Sequence, residues 1–281
     1  MTDDAHRRRR IAAYLDLDKT ILATSVTLAL GSPMRRSGLI STTALARGIV
    51  AQLPYLLVGG DHDHMSRLMV HLARMSAGVE RSRLQEVVRE AVSTAIAPAV
   101  YAEALDIIEA HHRAGHDVVV VSASSADVVE PVAELVGADR AIATSMEVDD
   151  DGRFTGRITH SLLHGAKVGA LEVDALLHGI DLDRSWAYSD SITDQPMLEA
   201  VGHPVAVNPD RELRRLAAEK SWPVLDFPRP VDLPQSLRPQ APSLPAWAPS
   251  LPPPSPLVLA SGLAVAALAG TAAYLILRRQ R

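Results

Sequence analysis

The stretch IAAYLDLDKTIL, Ile11–Leu22, decides the fold. An apolar run leads into two carboxylates, Asp16 and Asp18, followed at once by Lys19 and Thr20. Ile11–Asp16 has the length and apolar content of a buried strand that ends in acid. Carboxylates one residue apart repel each other and resist desolvation, so the pattern requires something for them to face.

Working outward, the same theme recurs. HDVVVVSAS is a second strand, and it ends in Ser122. SWAYSD is another, ending in Asp190, with Asp194 four residues on. Lys167 opens a helix over Lys167–His178. Between these pieces, helices are expected over Pro98–Ala114, with proline near the first turn, and over Ala126–Val136. Ala141–Val148 reads as a strand, and DDDGRFTGRI as a turn between short strands. HPVAVNPD gives a further strand, Asp210 caps a helix over Arg211–Lys220, and SWPVLDF supplies a last short strand. Strands alternating with helices predict an α/β fold, a Rossmann-like open parallel sheet with helices on both faces. Ligands of such sheets sit at the carboxyl ends of the strands, where Asp16, Asp18, Ser122 and Asp190 all fall.

Three carboxylates meeting at one point require a cation. Mg²⁺ suits them, because it takes hard oxygen ligands and keeps room for a substrate phosphate. A carboxylate is also a competent nucleophile toward phosphorus. A lysine and a hydroxyl at the rim would bind the oxygens of a transferring phosphoryl group.

Taken in order, Asp16-x-Asp18-x-Thr20, Ser122, Lys167 and Asp190-x-x-x-Asp194 resemble the four motifs of the haloacid dehalogenase (HAD) superfamily, in its phosphoserine phosphatase-like subclass IB. The resemblance spans residues 10–225. It implies a phosphate monoester hydrolase acting on a small phosphorylated substrate through an aspartyl-phosphate. Asp16 would be the nucleophile and Asp18 the general acid and base. Thr20, Ser122 and Lys167 would hold the phosphoryl group. Asp16, the backbone carbonyl of Asp18 and Asp190 would bind Mg²⁺, with Asp194 behind them. It also implies a core over residues 11–20 and 98–225, with a helical cap, residues 21–97, inserted after the first strand. The glutamate that reads the amino group in phosphoserine phosphatases is replaced by Ser25, and Lys19 stands where they carry serine.

The cap region is largely helical up to about Thr94, with breaks at GSPMRRSG and VGGDHDH. Within it, Gly60–His64 reads as a solvated loop. Met65, Met69 and Met75 with Leu68 and Leu72 form an apolar helical stripe for core or cap packing. Arg35 and Arg36 read as surface residues.

The whole chain of 281 residues carries a formal net charge of −5, which gives no sign of a general nucleic-acid binder. It contains no cysteine, which excludes disulfides, thiolate catalysis and cysteine-based zinc sites. Residues 1–10 form a basic arm with four arginines, and no apolar h-region of a signal peptide follows it. Residues 226–256 hold 11 of the 19 prolines and read as an extended linker. Leu257–Leu277 follows, 21 residues without a charge, where about 20 suffice to cross a bilayer as a helix. This predicts a single-pass C-terminal membrane anchor ending in a basic tail, residues 278–281. The missing signal peptide places the catalytic domain in the cytoplasm, although Arg278, Arg279 and Arg281 prefer that side themselves. Gly262, Ala266 and Gly270 form a small-residue stripe through which two spans could pair. Two other readings stay open on the sequence: a regulatory or binding protein on a HAD scaffold, and a phosphotransferase in which an alcohol replaces water.

Overall fold

The computed structural model of the chain describes residues 10–40, 70, 73–163 and 165–228. Strand β1, Ala12–Asp16, is buried along its whole length. It lies between β2, Asp117–Ser125, and β5, Trp186–Ser189, and is parallel to both. The sheet continues through β3, Arg140–Val148, and β4, Phe154–His160, on one side. On the other side stand β6, His203–Val207, and β7, Val224–Leu225. The order is β4-β3-β2-β1-β5-β6-β7, and every pairing is parallel except the β3–β4 hairpin.

Side chains alternate along a strand, so each strand feeds two layers. Ala13, Leu15, Val118 and Val120 face one layer. Helix α1, Val26–Arg36, helix α2, Arg81–Ala91, and helix α4, Ala126–Val136, pack there through Leu30, Val88 and Val132. Helix α3, Ala102–Arg113, adds Ile108 to the same layer. Ala12, Tyr14, Val119 and Val121 face the opposite layer. Helix α5, Ala166–His178, helix α6, Gln195–Glu199, and helix α7, Arg211–Lys220, supply Leu171, Met197, Leu198 and Leu213 there. The expected sheet with helices on both faces is therefore present, and Asp210 caps α7 by accepting the Leu213 N–H at 2.7 Å.

Two details differ from the expectation. The helix predicted from Pro98 begins only at Ala102, because the chain is extended at Val100 and Tyr101. There it pairs with the segment leaving β1: Tyr101 N–H donates to the Ile21 carbonyl at 2.9 Å, and Ala23 N–H to that of Ala99 at 2.7 Å. The two connections into and out of the helical block are thus tied to each other. At the other end, core contacts run past Leu225. Phe227 N–H donates to Asn208 Oδ1 at 2.7 Å, and its ring meets Tyr101 edge-on at 5.5 Å.

Arg35 and Arg36 are exposed in the last turn of α1, as expected. Met75 of the methionine stripe is 44% exposed; Met65, Leu68, Met69 and Leu72 lie outside the described residues, as does Gly60–His64. The basic arm before Arg10, the proline-rich linker after Pro228 and the apolar run Leu257–Leu277 also lie outside them. Among the described residues no helix is long and apolar enough to cross a membrane.

Candidate active site

Asp16 is the last residue of β1, at the centre of the sheet, and its register partner on β2 is Val121. Ser122 follows Val121 and stands beside it, buried, its hydroxyl accepting the Ser124 N–H at 3.1 Å. Beyond Asp16 the chain turns sharply. Lys19 takes a φ of 59°, a left-handed conformation that costs a residue with a Cβ about 1–2 kcal/mol. Within this turn Asp18 Oδ1 accepts the Val26 N–H at 2.7 Å, at the first residue of α1. The acid after the strand is therefore fastened to the first helix of the inserted block. Thr20 is buried, and its hydroxyl has no hydrogen-bond partner among the described residues.

Lys167 enters from the first turn of α5. Its ammonium donates to Asp16 Oδ1 and to Asp194 Oδ2, both at 2.7 Å, with all three side chains buried. Asp194 Oδ2 also accepts the Ser189 hydroxyl at 2.7 Å. Asp190 follows β5, with its side chain buried and its carbonyl accepting the Asp210 N–H at 2.8 Å. Asp210 does more than cap α7, because its Oδ2 accepts the Ile192 N–H at 2.9 Å and holds the loop that carries Asp190 and Asp194.

The structure thus joins Asp16, Lys167 and Asp194 by direct contact, and sets Asp18 and Asp190 within electrostatic reach of them. Ser122 lies inside β2, which runs on through a bulge to Ser125 instead of ending there as expected, and Thr20 is buried in the loop that leaves β1. Sequence reading missed Ser189, the loop-bracing role of Asp210 and the charge of Lys19, which bears on both Asp18 and Asp190. The signal for Ser189 was available: a hydroxyl one residue before a strand-end acid has to find a partner when buried.

Burial pushes the Asp16 carboxyl up to about 7; Lys167 opposes the rise, while Asp194 and Asp18 add to it. Burial and the charge of Asp16 together raise Asp190 well above the usual carboxylate range. Burial raises Asp18 as well, with the Val26 N–H opposing. For Lys167, burial disfavours the ammonium, yet Asp16 and Asp194 more than offset this and hold it charged.

The donor chemistry fits a hard divalent cation. Asp16 and Asp190 are buried oxygen donors, the charge of Asp16 raises the proton affinity of Asp190, and one ammonium faces Asp16 and Asp194 together. Among the described residues, no cluster of three or more His, Cys, Asp or Glu side chains is arranged around a common point for a metal. A cation here would rest on two carboxylates and on main-chain oxygen, with the rest of its shell left to water and substrate.

The sequence profile of the haloacid dehalogenase-like hydrolases matches residues 13–199. This chain belongs to that family. The HAD match runs from within β1 to the end of α6 and includes Asp16, Asp18, Thr20, Ser122, Lys167, Ser189, Asp190 and Asp194, while Asp210 lies beyond it. An "inhibition of morphological differentiation protein" of Streptomyces azureus is 46% identical over 98% of this chain and 96% of its own length. A probable phosphatase of Mycobacterium tuberculosis is 44% identical over 97% of this chain and 91% of its own. Among solved structures, a phospho-aspartyl intermediate analogue of phosphoserine phosphatase superposes with a TM-score of 0.56. That match covers 79% of this chain and 95% of the other at 18% identity, and it shows a shared HAD fold.

Proposed function

We propose that this HAD hydrolase is a Mg²⁺-dependent phosphatase that cleaves a small phosphate monoester through an aspartyl-phosphate on Asp16. The observation that carries the reading is the buried contact of Lys167 with both Asp16 and Asp194 at the end of the central strand. It fixes one carboxylate oxygen of Asp16 and leaves the other to attack.

Attack of Asp16 on phosphorus forms the Asp16 O–P bond and breaks the P–O bond to the leaving alcohol. Asp18, whose proton affinity burial raises, gives its proton to that departing oxygen. Asp18 then takes a proton from water, whose oxygen attacks phosphorus, releases phosphate and restores the Asp16 carboxylate. The Val26 N–H holds Asp18 Oδ1, so Oδ2 carries the proton. Lys167 neutralises charge on the phosphoryl oxygens, and the hydroxyls of Ser122 and Thr20 donate to them. The partnerless, buried Thr20 hydroxyl fits that role. Asp16, the Asp18 carbonyl and Asp190 would hold Mg²⁺, which would supply electrostatic stabilisation of the phosphoryl group. Asp194 keeps Lys167 in place. Residues 21–97 would serve as the cap, over a core of residues 11–20 and 98–225.

We also propose that Leu257–Leu277 anchors the enzyme to a membrane with its catalytic domain in the cytoplasm, and that the small-residue stripe pairs two anchors. The anchor favours a lipid-derived or head-group ester; a phosphoserine-like ester is the other substrate that the family likeness suggests. A second reading, a regulatory protein on the HAD scaffold, draws on the name of the Streptomyces relative. Phosphate release by the full chain with Mg²⁺, over phosphorylated amino acids, sugars, head groups and lysolipids, separates the two. Turnover lost on Asp16→Asn supports the phosphatase; no turnover of any ester favours the regulator. Membrane fractionation of the full chain beside residues 1–228 tests the anchor, and release of the shorter form alone is the expected result.

A further inference from the structure

A cavity of about 200 Å³ opens between the inserted helices and the core. Its walls are Leu30 and Met34 of α1, Val128 of α4, Met146 of β3 and Phe154 of β4. No charged side chain is among its described lining residues. It is large enough for a ring or short chain, since an apolar cavity of about 150 Å³ already accepts benzene.

The cavity shares its wall with the catalytic loops. Val26, which lines it, is the residue whose N–H holds Asp18. Ala123 and Ser124, also lining it, directly follow Ser122, and the Ser124 N–H bonds the Ser122 hydroxyl. A phosphoryl group seated at Asp16 therefore has this apolar space beside it, where the remainder of an ester would lie.

The polar side chains of the described lining are all hydroxylic: Thr27, Ser76, Ser124, Ser125 and Thr144. Ser76 donates to the Ala73 carbonyl at 2.7 Å, and Thr144 accepts the Leu162 N–H at 3.2 Å. Ser125 occupies the N-cap position of α4, yet its side chain makes no capping bond. Its hydroxyl has no partner among the described residues and almost no accessible surface, so it is closed off from the cavity. An ammonium or carboxylate placed against these described walls would lose its hydration with no countercharge among them, a large cost beside the gain from burying carbon.

We infer, resting on the phosphatase reading above, that this cavity binds the leaving group and selects esters of uncharged, largely apolar alcohols. Charged phosphoamino acids and amino head groups are then poor substrates, and lipid-like or aryl phosphomonoesters good ones.

The test is a chain-length series on the full-length protein with Mg²⁺: ethyl, butyl and hexyl phosphate beside phosphoserine and phosphoethanolamine. Burial of each methylene should raise kcat/KM about three- to fourfold until the cavity is filled. Hexyl phosphate should exceed phosphoserine at least tenfold. Met34→Glu should abolish the increment with chain length, and Met34→Leu should keep it. If Met34→Glu does not fold, the wild-type series alone decides. A flat series, or a preference for the charged esters, overturns the inference while the phosphatase reading stands. No turnover of any ester, together with no binding of hexyl phosphate to Asp16→Asn by calorimetry, overturns both.

Discussion

Lys167 is the residue on which the site turns. Its ammonium lies between Asp16 and Asp194 at 2.7 Å from each, and all three are buried. Replacing it with methionine keeps the length and apolar stem of the side chain but leaves the two acids facing each other. Lys167→Met should lower kcat at least about 100-fold, the scale for loss of one preorganised electrostatic group at a reacting centre. Steady-state kinetics beside a circular-dichroism check of folding measures this. The places of Asp16, Asp18, Thr20, Ser122, Lys167, Asp190 and Asp194 were legible in the sequence because each lies near the carboxyl end of a strand or in the first turn of a helix, where a charged or hydroxylic group has no structural need to be. What was not legible is the bracing. Ser189 and Asp210 hold Asp194 and its loop through contacts 5 and 18 residues apart, which no local pattern announces.

Elements carry the site by where they stop. The alternation along β1 and β2 fixes the two layers, and the strands then deliver Asp16 and Ser122 to one edge. The late start of α3 at Ala102 was hidden, because pairing with residues 21–23 keeps Val100 and Tyr101 extended and no propensity foretells a tertiary pairing. Close approaches are hidden for the same reason. A Cβ built at Gly202, in the turn before β6, would sit 1.7 Å from the Asp183 carbonyl oxygen, so backbone would have to move. Gly202→Ala should lower unfolding free energy by about 1–3 kcal/mol. In exposed Gly169 of α5 nothing lies within 4 Å of such a Cβ, and Gly169→Ala should raise it by about 1 kcal/mol. Urea unfolding of the two variants checks the opposite signs.

Across the whole molecule, the end of the sheet remote from Asp16 holds a second charged network. Arg140 binds Asp174 at 2.6 and 2.7 Å and Asp117 at 2.6 Å, Tyr14 donates to Asp174 at 2.9 Å, and Arg10 pairs with Asp117. These contacts clamp β1, β2, β3 and α5 together. Arg140→Leu should cost about 3 kcal/mol by stranding buried acids, with kcat unchanged, as thermal unfolding and kinetics together would read. At the same end His111 is buried, bonded to the Tyr188 hydroxyl at 2.8 Å and to His116 at 3.0 Å. Burial and the neighbouring histidines lower its pKa from 6.5 to about 4. The unfolded chain thus binds a proton between these values that the folded chain refuses. Its contribution is complete above 6.5 and is lost as pH falls toward 4, on the order of 2–3 kcal/mol. Unfolding midpoints at pH 7 and pH 4.5 should therefore lie closer together in His111→Gln than in the wild type.

The central claim is that phosphate passes through Asp16. A rapid acid quench of the full chain turning over a ³²P-labelled ester with Mg²⁺ tests it most directly. The account predicts protein-bound label that hydroxylamine releases, that maps to the peptide containing Asp16 and that is absent from Asp16→Asn. Turnover without bound label, undiminished in Asp16→Asn, would contradict it.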